Sequence, residues 1–215
     1  MPFLRSICAG LILTPLLQLS TAAPAAPVEE CAVSRGPTPT LPNNAALPTT
    51  TLALTYVFVG RGTQNYTCAA PSASPVALGA IATLYDATAL AYTSPQVLHT
   101  IPPLAVTQPT PRSPSGLALA APLLEPGGEH FFDSAGTPVF VLPAAEKILY
   151  AAKAAGAAAP GGSGAVDWLY LTARPGYTSV GLAAVYRVET AGGKAVCDEA
   201  GAQQVDYAAE YWFFD

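Results

Sequence analysis

Few residues in this chain of 215 could perform acid–base chemistry. It has two histidines, His99 and His130, and neither lies in a close group of cysteines and carboxylates, so we predict no metal site. Carboxylates that could pair for glycoside hydrolysis are Asp167, Glu189 and Glu210, all in strand-like segments. Since strand carboxylates usually face solvent, their presence alone does not favour catalysis.

The stretch GRGTQNYTC, residues 60–68, raises the question of a dinucleotide site. That fingerprint needs G-x-G-x-x-G opening a helix, whereas Asn65 stands at the third glycine position and a strand-like pattern follows. We therefore predict no cofactor. The two glycines indicate a turn or bulge, where φ can be positive.

The same stretch alternates as a strand does. Its alternation directs Gln64, Tyr66 and Cys68 to one face, and Thr63, Asn65 and Thr67 to the other. Asn65 begins the triplet NYT, an acceptor for N-glycosylation, and its polar face makes modification plausible. An unmodified strand asparagine is the alternative.

The first residues indicate the compartment. Arg5, an apolar run and small residues after it are typical of a secretory signal peptide over residues 1–23, cleaved after Ala22 or Ala23. The run is too short and too interrupted by proline to span a bilayer. We expect a secreted protein, located extracellularly or in the cell wall.

The charge balance excludes two classes of partner. Fourteen acidic residues outnumber nine basic ones, for a net charge of −5. Nucleic acids and anionic membranes both reward clustered lysine and arginine, so neither is expected as a partner. Charged residues make up only 11% of the chain, and with 22 prolines this composition fits a loop-rich β protein better than a helical bundle.

Strand-like runs separated by glycine and proline turns occupy residues 53–215. They predict one all-β domain, an antiparallel β-sandwich or partly closed barrel with little helix. A Pro-rich extended leader precedes it over residues 24–52, and a long Pro-rich loop interrupts it over residues 93–128. The segment SAGT, residues 134–137, could turn one strand into the next.

One segment disagrees with the all-β prediction. Residues 144–157 are rich in alanine, and local propensity favours a helix there. An alternating pattern is also present, with Ile148 and Tyr150 on one face and Leu149 on the other.

The cysteines leave their pairing open. Cys8 belongs to the signal peptide, so three remain, Cys31, Cys68 and Cys197. Secretion permits one disulfide, and spacing alone allows three pairings.

Three clusters together carry a resemblance to a known family: GRGTQNYTC, HFFDSAGTPVF at residues 130–140, and the C-terminal set VDWLYLTA, VYRVETAGGKAVCDEAG and VDYAAEYWFF. The chain resembles a family of small secreted fungal and bacterial proteins of unknown function. Fungal members are often labelled malate dehydrogenase, a label that these residues do not support because they contain no Rossmann loop.

The resemblance implies three structural features. The cysteines that match Cys68 and Cys197 recur together in the family, which implies that they form the disulfide. Ala89 stands where fungal relatives often carry a cysteine, which implies that Cys31 lacks its partner. Family segments that match residues 147–157 look like strands, so we predict a strand there against local propensity.

A polar pocket is the remaining site hypothesis. His130 belongs to the family's His-aromatic motif, and strand alternation leaves polar groups on otherwise apolar ribbons. The pocket would be lined at one end of the domain by Gln64, Tyr66, His130, Arg187 and Glu210.

These observations favour a non-catalytic protein that binds a polysaccharide or a small ligand, with tyrosine and tryptophan as stacking surfaces. One alternative is a secreted hydrolase that uses His130 with Glu210 or Asp167. Another is a structural cell-wall component. The oligomeric state does not follow from the sequence.

Overall fold

The computed structural model describes residues 37–42, 46–108, 124–162 and 164–215, and residues 35–215 form one compact unit. The predicted signal peptide, its cleavage site and Cys31 lie outside the described residues. So do residues 24–36 and 43–45 of the predicted leader, and residues 109–123 of the predicted loop.

Eight antiparallel strands form a closed barrel in chain order, with the last strand pairing with the first. The strands are β1 (Leu54–Cys68), β2 (Val76–Asp86), β3 (Pro126–Phe132), β4 (Pro138–Leu142), β5 (Lys147–Ala157), β6 (Trp168–Ala173), β7 (Ala184–Gly192) and β8 (Gly201–Phe214). The predicted all-β antiparallel fold is confirmed, and of the predicted architectures the barrel is the correct one.

The paired strands β1 and β8 are buried on both faces over residues 57–62 and 207–214. Their register runs from Leu54 opposite Phe214 to Cys68 opposite Gly201. Alternate residues such as Phe58 and Tyr211 fill the barrel interior, while their neighbours pack outside it. In these ranges the sequence is therefore almost continuously apolar. Each strand separates the core inside the barrel from the core that packs outside it.

Three short helices contribute to the outer core: α1 (Thr88–Thr93), α2 (Pro95–Leu98) and α3 (Ile101–Ala105). Two of them carry proline in their first turn, where no backbone N–H is needed. Ala91, Leu98 and Ile101 join the outer apolar cluster. Part of the stretch predicted as an irregular loop is thus a folded cover over the barrel wall.

Arg61 attaches this cover to the barrel. Its side chain is fully buried on the outer face, where Nε donates to the carbonyl of Ala105 at 3.0 Å and Nη2 to that of Gln108 at 2.7 Å. Nη1 donates to the carbonyl of Tyr207 and forms an ion pair with Asp206 at 3.2 Å. One guanidinium thus ties the Gln108 carbonyl and the Ala105 carbonyl, which also accepts from the Gln108 N–H at 3.1 Å, to the barrel wall.

The turn or bulge predicted at Gly60 and Gly62 is wrong. Both glycines lie within β1, and neither has a positive φ. A Cβ on Gly60 would meet the ring of Tyr211, and one on Gly62 would meet the carbonyl oxygen of Ile81. Close approach inside the barrel explains both glycines.

The predicted strand over residues 147–157 is confirmed as β5. Leu149 and Ala151 are completely buried in the interior cluster, so β5 contributes its inward-facing side chains to the core. Tertiary packing therefore overrides the helical propensity of the alanines. The hairpin predicted at SAGT also forms, joining β3 to β4.

The disulfide implied by the resemblance is confirmed. Cys68 bonds to Cys197, with the Cα atoms 5.6 Å apart and a sequence separation of 129 residues. It fixes the end of β1 to the connection between β7 and β8. Within the described part of the chain, none of the helices has the length and apolar character needed to cross a bilayer.

Candidate functional site

Two adjoining cavities lie inside one end of the barrel, with volumes of about 220 Å³ and 420 Å³. Three residues line both of them: Lys153, Leu169 and Arg187. The smaller cavity is the aromatic one, and the larger lies at the mouth. Between them they offer the room that a small ligand needs.

His130 lies in the aromatic cavity as one of a stack of rings. Its imidazole is parallel to the ring of Phe140, with centroids 4.1 Å apart, and tilted against Tyr211 at 5.8 Å. Its Nδ1 donates to the carbonyl of Val139 at 2.9 Å, which fixes the tautomer. The ring therefore acts as a packed aromatic surface.

Burial lowers the pKa of His130 to about 4, against the effect of its bond to Val139. The imidazole is consequently neutral at pH 7. A base of such low pKa is poorly matched to proton transfer near neutrality. This environment favours a structural or ligand-contacting role.

The mouth cavity is lined by Gln64 and Tyr66, as strand alternation predicts for neighbours on one face. Gln64 is buried, yet its Nε2 has no hydrogen-bond partner among the described residues. Tyr66 donates its hydroxyl to the carbonyl of Gly193 at 2.7 Å, and burial raises its pKa. The wall therefore holds a neutral phenol and an unsatisfied amide donor.

Arg187 is the charge shared by the two cavities. Its Nε and Nη2 donate to the backbone carbonyl of Asp167 at 3.2 and 2.9 Å. No carboxylate of the described residues forms an ion pair with it. The carboxylate of Asp167 instead lies 3.8 Å from Lys194 Nζ at the mouth. The cavity walls thus carry the cations Lys153, Arg187 and Lys194 against the single carboxylate of Asp167.

The structure does not bring Glu210 to this group. Glu210 lies on the outer face of β8, between the inward-facing Ala209 and Tyr211. Its carboxylate is fully buried and accepts bonds from His99 Nδ1 at 2.8 Å and Trp212 Nε1 at 2.9 Å. Four of the five predicted pocket residues line the inner cavities, and Glu210 does not.

A second concavity of about 360 Å³, here called the outer cleft, lies beside this carboxylate. It is lined by His99, Pro103, Pro160, Gly161, Gly164, Ala165, Trp168, Glu189, Thr190, Ala191 and Gly192. Sequence reasoning missed His99 as a partner of Glu210, because 111 residues separate them. It also missed Lys153, whose segment was ambiguous between helix and strand.

Among the described residues, no group of three or more histidine, cysteine and acidic side chains could hold a metal ion. A family model described as "Protein of unknown function (DUF3455)" matches residues 48–215, which include all eight strands. No curated protein and no solved structure matches the chain.

Proposed function

The chain belongs to this family of proteins of unknown function, and from that premise we propose that it is a secreted protein whose barrel interior is a non-catalytic binding site. The barrel interior takes a small ligand with an apolar or aromatic body and an anionic end. The observation that carries this proposal is Arg187, which lines both inner cavities without a described carboxylate partner.

The apolar half of the ligand would occupy the aromatic cavity. Phe132, Phe140 and Tyr211 present ring faces and edges there, together with the neutral imidazole of His130. Stacked aromatic pairs of this kind contribute about 0.5–1.5 kcal/mol beyond their buried area. A planar or aliphatic group of modest size suits this space.

The anionic end would meet the shared wall. Arg187 retains N–H groups beyond those bound to the backbone of Asp167, and Lys153 supplies a second cation. Gln64 offers its unpaired amide donor nearby. A carboxylate would satisfy these donors with charge-assisted hydrogen bonds, each worth about 1.5–3 kcal/mol.

A matched pair of ligands tests the proposal by calorimetry. We expect 3-phenylpropionate to bind at least about tenfold more tightly than the neutral 3-phenyl-1-propanol, a difference of about 1.4 kcal/mol. Arg187→Met should remove this preference while leaving the binding of the alcohol unchanged. Arg174→Met, which removes a guanidinium lying 5.1 Å over the ring of Tyr177 outside the cavities, is the control and should bind both as the wild type does.

Three outcomes would contradict the proposal. Equal affinities for acid and alcohol would remove the anionic specificity, and no binding of either at millimolar concentration would remove the small-ligand site. Binding of soluble cell-wall oligosaccharides that is unaffected by Arg187→Met would instead support a carbohydrate-binding protein.

Secretion and glycosylation of Asn65 belong to the same proposal. The disulfide supports an oxidising compartment, and Asn65 shares the outer face with Thr63, whose hydroxyl donates to its Oδ1 at 3.3 Å. The exported protein should begin at Ala23 or Pro24 by N-terminal sequencing. Its mass should fall after glycosidase treatment, and an unchanged mass would rule out the glycan.

A further inference from the structure

The outer cleft holds a histidine positioned by a buried carboxylate. His99 follows α2, and its Nδ1 lies 2.8 Å from Glu210 Oε1. The other carboxylate oxygen accepts from Trp212 Nε1, so Glu210 cannot turn away. Because the carboxylate accepts, the proton of a neutral His99 stays on Nδ1, and Nε2 remains a free base. His99 is partly exposed and lines the cleft.

A second carboxyl group lines the same cleft. Glu189 has a φ of 45°, in the left-handed region that residues other than glycine rarely adopt. It lies in the irregularity of the pairing between Val188 and Ala191. Burial and the charge of Glu210 raise its pKa, while His99 opposes that shift. Strained residues of this kind cluster at functional sites.

Trp168, whose indole Nε1 is buried, lines the cleft as well. Trp168 is only 3% exposed, and its Nε1 has no hydrogen-bond partner among the described residues. A buried indole N–H normally finds a partner. A carbonyl or alkoxide oxygen of a bound molecule would satisfy it.

We propose that the outer cleft is a hydrolytic site for small, uncharged carboxylic esters. His99 is its general base, Glu189 its general acid and Trp168 its oxyanion donor, while Glu210 is a positioning residue. An ester fits better than an anion, because the buried carboxylate of Glu210, which lies behind His99, would repel negative charge. It fits better than a glycoside, because the base is an imidazole held by a carboxylate, as in acyl transfer.

The reaction consumes only water. His99 Nε2 accepts a proton from a water molecule as the water oxygen bonds to the ester carbonyl carbon, and the π electrons move to the carbonyl oxygen near Trp168 Nε1. When the tetrahedral intermediate collapses, the bond to the leaving alkoxide breaks and Glu189 protonates that oxygen. The proton held by His99 then returns to Glu189 through solvent, giving a carboxylic acid and an alcohol.

The hydrolysis of 4-nitrophenyl acetate by the exported protein tests this proposal. We expect kcat/KM to exceed the second-order rate constant of free imidazole at the same pH by at least about 100-fold, the lower end of what a positioned acid or base contributes. His99→Gln should remove most of this excess. Glu189→Gln should remove most of the hydrolysis of ethyl acetate, whose alkoxide needs a proton to leave, but not that of 4-nitrophenyl acetate, because 4-nitrophenolate leaves unprotonated. The control Glu129→Gln, at an exposed carboxylate on β3, should leave the hydrolysis of both esters unchanged.

A pH profile isolates the role of Glu210. Its carboxylate raises the pKa of His99, so Glu210→Gln should move the acid limb of kcat/KM to lower pH as well as reduce the rate. A merely structural role would lower the rate without moving that limb. If Glu210→Gln does not fold, His99→Gln and Glu189→Gln still decide the outcome.

The proposal is overturned if wild-type hydrolysis does not exceed that of free imidazole, or if folded His99→Gln retains the wild-type rate. Arg187 lines the inner cavities and His99 lines the outer cleft, so ligand binding tested with Arg187→Met and hydrolysis tested with His99→Gln report on different sites. The hydrolytic site and the inner binding site can therefore fail independently.

Discussion

The two histidines of this barrel lie on opposite faces of one sheet, and their environments push their pKa values in opposite directions. Inside, His130 is buried among aromatic rings, and desolvation lowers its pKa to about 4. Outside, the hydrogen bond from His99 to Glu210 raises its pKa despite partial burial. The interior therefore keeps an imidazole neutral, whereas the outer face favours its charged form.

One strand supplies both environments. Tyr211 of β8 faces inward against His130, and the preceding residue, Glu210, faces outward to hold His99. Because strand residues alternate between faces, neighbouring residues of β8 supply an aromatic ring to one histidine and a buried carboxylate to the other. The comparison shows that residue type alone does not assign a histidine its chemistry.

The largest expected effect concerns the stability of the barrel interior around His130. His130 has a folded pKa of about 4 against an ordinary value of 6.5, so its stabilising contribution is present above pH 6.5 and declines as the pH falls toward 4. The decline amounts to about 3 kcal/mol. The free energy of unfolding of His130→Phe, measured by urea denaturation from pH 4 to 8, should lack it.

At pH 7 the phenylalanine variant should be less stable than the wild type by about 1 kcal/mol, the contribution of the lost bond to Val139. At pH 4 the order should reverse. Parallel pH curves for the two proteins would show that His130 is not desolvated in the folded state.

A smaller effect is expected where the outer cover meets the barrel. Arg61→Met removes the charged donor to the carbonyls of Ala105 and Gln108, of which Ala105 keeps its bond from the Gln108 N–H, at a cost of about 2–3 kcal/mol. Arg61→Lys should recover only part of this loss, since an ammonium lacks the planar fork. Chemical denaturation would measure both variants.

The location of the Arg61 effect also matters. Hydrogen exchange in Arg61→Met should accelerate in α3 before it does in β3 and β4, because the side chain bonds to the outer layer, to β8 and to its own strand β1. Uniform acceleration across the barrel would mean that the cover is not a separate layer.

The smallest effect concerns His99. Its raised pKa gives stability that is fully present below pH 6.5 and is lost as the pH rises through the folded pKa. Since His99 is partly exposed, the loss should stay below about 1 kcal/mol. The unfolding free energy of His99→Gln should lack this fall between pH 6 and 9. The slope that this variant loses is opposite in sign to the slope that His130→Phe loses. If the two variants lose slopes of the same sign, the two faces do not shift the histidine pKa values in opposite directions.

Much of the inner site was predictable from alternation. Gln64, Tyr66, His130 and Arg187 face one cavity system because each lies at an inward position of a strand with a clear period of two. The prediction that groups Glu210 with them is wrong, since residues 207–214 of β8 are buried on both faces and their pattern does not reveal which face points inward. The glycines of β1 were assigned to a turn because a close approach of Tyr211 leaves no local signal.

The sequence by itself determined the antiparallel β class, the hairpin at residues 134–137 and the polar lining of one strand face, because turn chemistry and period-two patterns are local. The disulfide and the strand character of β5 followed from family resemblance. Only the tertiary structure decided that the sheet closes and that residues 88–105 cover its outer face. It also paired His99 with Glu210, because that contact depends on strand register and helix packing across 111 residues of chain.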